Sequence, residues 1–144
     1  MFEERIMVAV GAVITDATDR VLMVKHKPER GGFWQGKWIC PGGKLELGES
    51  IEDGIKREVK EETNPEIKLT TPLVPFERIV ESEGQVELHV IYIDYLAETD
   101  SENQALIPDS DVGEARWVPR NELPGIWEEL HEDTQKLFRM ASII

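Results

Sequence analysis

A single cysteine is all that the 144-residue chain contains, so no internal disulfide can form. Cys40 follows Trp38 and Ile39, and these apolar neighbours point to a buried thiol rather than a nucleophile, which suits a reducing compartment. Positive charge is scarce as well: 16 Lys and Arg face 29 Asp and Glu, for a formal net charge of −13. A surface of that sign repels long nucleic acids, so a broad DNA- or RNA-binding face is excluded. A small phosphorylated substrate stays compatible if cations screen the carboxylates locally. Long apolar runs are missing too. The stretch from Ile6 to Ile14 is about half of what spans a bilayer, and the acidic start from Met1 to Arg5 does not look like a leader. A cytoplasmic protein with no membrane segment is expected. There is no internal repeat, no linker, no Walker-type glycine-lysine-hydroxyl loop and no nucleophilic Ser or Cys motif. His26, His89 and His131 share no ligand spacing, which disfavours zinc.

What the chain does have is a composition typical of globular proteins, 40% hydrophobic and 31% charged, at a length suited to one domain over residues 1–144. Ile6 to Ile14 and Val21 to Lys25 read as a strand pair across the turn residues "DATDR". The polar, glycine-rich "HKPERGGFWQGK" reads as a long exposed loop, and "WICPGGKLELGE" as a short strand running into turns. A helix is expected from Ile51 to Thr63, capped by Ser50 with Asp53 three residues on and stopped by Asn64 and Pro65. Leu73 to Glu81 and Val86 to Ala97 read as further strands, the second placing Val86, Leu88, Val90 and Tyr92 on one face. A short strand is expected at Arg116 to Val118, and helical spacing recurs from Ile126 to Ile144 through Trp127, Leu130, Leu137, Phe138 and Ala141. Strands mixed with two helical segments imply a compact α/β sandwich.

The stretch "REVKEET" concentrates like charge. At about 100° per residue, Glu58, Glu61 and Glu62 fall within an arc of about 100° on that helix. Ile51, Ile55 and Val59 form an apolar stripe beside them, and Glu62 lies angularly within it, where a carboxylate is expensive to desolvate without a positive partner. Lys56, Arg57 and Lys60 are too few and sit mostly on other faces. A solvated acidic face is the ordinary reading of such a cluster. Grouped oxygen donors on a rigid element, a short way after the exposed carbonyls of "PGG", instead suit a hard divalent cation.

The segment "GKLELGESIEDGIKREVKEETNP", residues 43–65, resembles the Nudix box, signature of hydrolases acting on a nucleoside diphosphate linked to another moiety. Its pattern is matched at Gly43, Glu49, Arg57, Glu58, Val59, Glu61 and Glu62. Six positions fixed in identity, each at a background of roughly 7%, would match by chance about once in ten million registers. Asn64 and Pro65 depart from the family's Gly and aliphatic residue. Asn is the next best residue for a positive-φ cap, so the helix end is expected to survive and the loop after it to differ.

The resemblance implies a Nudix-type α/β/α sandwich with a mixed sheet, and an enzyme dependent on Mg²⁺ or Mn²⁺. It assigns Glu58, Glu61 and Glu62 to the metal, with a carbonyl of Gly42 or Gly43 as a further ligand. Glu58 would act as general base or position the attacking water. Arg57 would orient Glu58 or Glu49 by a charge-assisted hydrogen bond, and Glu49 would hold loop and helix together. Asp111 and Glu114, in the polar loop before Trp117, are candidates for a contribution from outside the box. Phe33 and Trp34 suit either a hydrophobic anchor or a base-stacking platform, and Lys37 either a phosphate contact or a solvated loop. The substrate implied is a small nucleotide, most simply a nucleoside or deoxynucleoside triphosphate, an oxidised one included, cut to monophosphate and diphosphate. An ADP-ribose or nucleotide-sugar pyrophosphatase is the alternative, and a non-catalytic nucleotide sensor a third. A monomer or homodimer is expected.

Overall fold

The computed structural model describes residues 5–27, 34, 36–100, 104–109 and 112–143. Among these residues eight strands run in the order β1 (Met7–Thr15), β2 (Arg20–His26), β3 (Trp38–Ile39), β4 (Gly42–Lys44), then, after helix α1 (Ile51–Thr63), β5 (Lys68–Pro72), β6 (Phe76–Ser82), β7 (Gln85–Glu98) and β8 (Val112–Pro119). A 3₁₀ segment, Arg120–Glu129, and helix α2 (Glu132–Met140) close the chain. The strands form one mixed sheet. β1 and β7 pair in parallel from Met7 opposite Val90 to Thr15 opposite Glu98, and the other pairings are antiparallel.

Alternation along the strands explains the layers. Val10, Ala12, Ile14 and Leu22 face one side and pack with Ile55 and Val59 of α1. Val13, Val21 and Met23 face the other and pack with Leu123, Leu130, Leu137 and Phe138 from the closing segments. The result is an α/β/α sandwich, the architecture that the resemblance implied. Among the described residues no helix is long and apolar enough to cross a membrane.

Helix α1 begins and ends where its caps dictate. The Ser50 hydroxyl accepts a hydrogen bond from the Asp53 amide. Asn64 takes φ 92°, its amide donates to the Lys60 carbonyl, and its side chain donates to the Ala105 carbonyl at 2.9 Å. A departure from the family pattern is thus absorbed: Asn64 supplies the positive φ and also ties down the loop that follows.

Three expectations are corrected. The strand expected over Leu73 to Glu81 begins only at Phe76, after Pro75, which has no amide to donate, and an unexpected strand, β5, precedes it and pairs with a separate stretch of the long β7. The last strand is longer than Arg116 to Val118, since pairing with β2 carries it from Val112 to Pro119. The helical tail starts earlier than Ile126, as a 3₁₀ segment, and is interrupted at Leu130 and His131 before α2.

Candidate active site

The acidic helix meets the sheet at β4. There the chain passes close enough to α1 that a Cβ on Gly43 would overlap the Glu58 carboxylate, while one on Gly42 would overlap the Val10 carbonyl. Position 42 therefore needs glycine, and a side chain at position 43 would displace the Glu58 carboxylate. Gly43→Ala has only a flexible side-chain end to displace, so its fold should survive; if Glu58 acts on the substrate, turnover should drop by about 10²-fold, because misplacing a reacting group by about 1 Å has that effect. Thermal melting beside a steady-state assay checks both halves.

The three glutamates are held differently. Glu62 is buried, as its place in the apolar stripe implied; its Oε1 accepts from the Gly42 amide at 2.8 Å, and its Oε2 lies 3.4 Å from His26 Nε2. Glu58 has a side chain 16% exposed, whereas that of Glu61 is 58% exposed. Arg57 reaches further round the helix than its angular position suggests. Its Nε and Nη2 grip the two Glu49 oxygens at 2.5 and 2.9 Å, and its Nη1 donates to Glu58 at 2.8 Å and Glu61 at 3.2 Å. Glu49 also accepts from the Glu46 amide, so it joins the preceding loop to the helix. The sequence reading that placed the helix's cations mostly on other faces is corrected here for Arg57, whose long side chain bridges three carboxylates.

Charge follows geometry. Hydrogen bonding from Arg57 holds the Glu49 carboxyl below its ordinary range. Glu58 is pushed the other way: desolvation is the largest cause, and repulsion from Glu62 and Glu61 adds to it, outweighing the nearby guanidinium. A carboxylate kept in that state is short of positive charge. Every candidate ligand there is oxygen, the donor type of Mg²⁺ and Mn²⁺, so the residues fit such an ion in donor chemistry and local charge. Among the described residues no three acidic, His or Cys side chains already converge on one point.

Beside this cluster, on the opposite face of the sheet from α1, lies a cleft of about 330 Å³. Its floor follows from the alternation of β1: Met7, Ala9 and Gly11 point to this side, and the two small residues leave the volume empty. Tyr92 and Asp94 of β7 sit beside them, with Phe76 and Trp34 as aromatic walls. Phe76 stacks on Tyr92 at 4.8 Å, and Trp34 meets it edge-on at 6.5 Å. The Tyr92 hydroxyl accepts from Trp34 Nε1 and donates to Asp133, whose other oxygen is held by Arg78. Burial, then Asp133, pushes the Tyr92 hydroxyl well above its ordinary range, so it stays a donor. Burial likewise raises the Cys40 thiol, with Asp94 adding to it, as expected of an inert cysteine.

The remaining sequence candidates are dispersed. Trp34 lines the cleft. Lys37 is turned away from it, donating to the Glu128 carbonyl at 3.0 Å. Glu114, expected in a loop, is exposed on strand β8 opposite Lys25 and outside the cleft wall. Positions Phe33 and Asp111 lie outside the described residues. The residues that sequence reasoning missed are Gly11, Asp94, Phe76, Arg78 and Asp133, together with the role of Tyr92. The one signal for them was the pair of small residues, Ala9 and Gly11, on a single face of the first strand.

Comparison with known proteins adds the family. The model of the NUDIX domain matches residues 5–139. Over 114 residues the chain is 30% identical to the uncharacterized Nudix hydrolase YvcI of Bacillus subtilis, a match covering 76% of this chain and 65% of the relative, so it spans just under two thirds of that protein. Over 129 residues it is 28% identical to the nucleoside triphosphatase NudI of Escherichia coli, covering 85% of this chain and 88% of the relative. In structure it is similar to a MutT NUDIX hydrolase from Burkholderia pseudomallei, with TM-score 0.76, 25% identity and coverage of 95% and 98% of the two chains.

Proposed function

The chain belongs to the Nudix hydrolase family, and on that premise we propose that it hydrolyses the diphosphate linkage of a nucleoside or deoxynucleoside triphosphate, an oxidised one included, releasing monophosphate and diphosphate. The observation that carries this reading is the juxtaposition of Glu58, Glu61 and Glu62 with an aromatic-walled cleft across β4. One end offers anionic oxygen donors for a phosphate-bound cation, and the other a flat apolar slot for a base. The near full-length match to NudI, named for triphosphate cleavage, favours triphosphates over ADP-ribose or nucleotide sugars.

In this reading Glu58, Glu61 and Glu62, with a carbonyl of Gly42 or Gly43, hold Mg²⁺ or Mn²⁺. When bound, the ion neutralises diphosphate charge and acidifies water. Glu58 takes the proton of the attacking water: desolvation and the neighbouring glutamates raise its pKa, which makes it a better proton acceptor than an ordinary carboxylate. Arg57 is the positioning residue, fixing the Glu58 carboxylate against Glu49. Gly43 lets that carboxylate approach the backbone, and Trp34 and Tyr92 shield the cleft from water. All the glutamates of the box are in place, which favours an enzyme over a silent nucleotide sensor.

Product analysis tests the proposal. Nucleoside triphosphates with Mg²⁺ should yield equimolar monophosphate and diphosphate. Release of ribose phosphate and AMP from ADP-ribose, with triphosphates untouched, would instead select the alternative class. Tight nucleotide binding without turnover of either substrate would mark a sensor.

A further inference from the structure

The cleft holds two carboxyls that differ in how they are occupied. Asp133 is spent, with one oxygen taken by Arg78 and the other by the Tyr92 hydroxyl. Asp94 is not. It is 8% exposed, lines the cleft, and meets no hydrogen-bond or ion-pair partner for its side chain among the described residues. The backbone is arranged around it: Gly11 pairs with Asp94 across the parallel β1–β7 ladder, and a Cβ on Gly11 would lie 2.9 Å from Asp94 Oδ1 and 2.7 Å from the Pro41 carbonyl. Any larger residue at position 11 would close the space into which the carboxyl projects.

A largely desolvated carboxyl whose oxygens open only onto the cleft and meet no protein donor is unfavourable in the free protein, and such groups are kept where a ligand completes them. That desolvation alone pushes the Asp94 carboxyl up to about 7 agrees with a group that finds no donor in its own chain. An ionised carboxylate is an acceptor only, so in that state what it requires from a ligand is an N–H or O–H donor. Around it the walls are flat and aromatic, Phe76 and Tyr92 stacked and Trp34 edge-on, which suits a planar heterocycle. Resting on the nucleotide reading above, we infer that Asp94 determines base specificity, accepting a hydrogen bond from an exocyclic amino group of the substrate's base. A base with a carbonyl at that point would set oxygen against oxygen and leave the ionised Asp94 unpaired, whereas the protonated acid would donate to it.

Binding of α,β-methylene triphosphates, which cannot be cut at the α,β linkage, tests this without turnover. Cytidine and uridine analogues, and adenosine and inosine analogues, differ by amino against keto at one ring position, and guanosine and inosine analogues by the presence of the amino group. Calorimetric titration in Mg²⁺ at about pH 8.5, where Asp94 is ionised, should show the amino-bearing member bound about 10- to 100-fold more tightly in at least one pair. Asp94→Leu should bring that ratio to about one, and Asp94→Ala carries the same expectation if the leucine variant does not fold. Asp94→Asn adds an N–H₂ donor that can pair with a keto base, so it should narrow the preference. Equal affinities within all three pairs for the wild type, or a preference that survives Asp94→Leu or Asp94→Ala, would overturn the assignment. A preference that depends on Asp94 in a protein that cleaves no nucleotide would sustain Asp94 and remove the hydrolase reading.

Discussion

Glu58→Gln is expected to cut turnover by about 10²- to 10⁴-fold, the contribution of a positioned general base, while leaving the fold intact. The fold should survive because the substitution removes charge and not volume, from a carboxylate whose ionised form is already disfavoured by desolvation and by Glu62 and Glu61. The melting temperature of the metal-free variant should match or slightly exceed that of the wild type. Arg57 keeps its two bonds to Glu49 and its bond to Glu61, so the loop and helix stay joined. Near-normal turnover would move the base to another residue, and a large fall in melting temperature would make Glu58 a structural group. Steady-state kinetics with thermal melting distinguishes these outcomes.

Asp94→Asn is expected to stabilise the ligand-free protein, and to do so in a pH-dependent way. The Asp94 carboxyl is held near pH 7, against 3.8 when unfolded, by desolvation. A carboxyl with a raised folded pKa favours the folded state while protonated; that advantage is complete below about pH 4 and is lost as pH rises through about 7. The gap in stability between Asn and Asp should therefore open between about pH 4 and 7 and level off above, with a ceiling of about 4 kcal/mol. The asparagine's own unmet bonding reduces the gain. Paired denaturant titrations at pH 4, 6 and 8 check this. A stability gap that does not change with pH would mean that Asp94 is solvated or paired. Protein that is less stable exposed to higher pH in its free state, and relieved by ligand, is what a recognition group kept unpartnered implies.

How much of this the sequence displayed depends on the range over which each feature is set. Helix α1 was legible to the residue because its limits are local: Ser50 and Asp53 at one end, Asn64 and Pro65 at the other. The burial of Glu62 was legible too, since its angle on the helix relative to Ile55 and Val59 is fixed by the period. Strand β5 was missed and β6 was started too early because Pro75 interrupts an otherwise strand-like run, and β7 is long enough to pair with both on one edge. Arg57 was misjudged because an angular position describes where a side chain starts, not where five donors on a long stem can reach. Lys37 turns to the Glu128 carbonyl because a 3₁₀ segment happens to end nearby, which no local pattern encodes.

The cleft was the least legible element. Asp94 sits beside Gly11 only because β1 and β7, about 80 residues apart in the chain, pair in one parallel register; a shift of one residue would turn Asp94 to the α1 face. The same register brings Tyr92 beside Ala9, and from there Asp133 of α2 accepts its hydroxyl while Arg78 of β6 holds Asp133. A sequence shows each of these residues as an ordinary strand or helix position, and only the assembled sheet makes them a wall.

The central claim is that the carboxylates of α1 gather to hold a divalent cation against a diphosphate. Titrating Mn²⁺ into the metal-free protein with a non-hydrolysable nucleoside triphosphate present, and following the ion's electron paramagnetic resonance, measures that directly. Uptake by the wild type that is weakened at least about tenfold in both Glu58→Gln and Glu61→Gln is the predicted result. No uptake by the wild type, or equal uptake by the two variants, would contradict it.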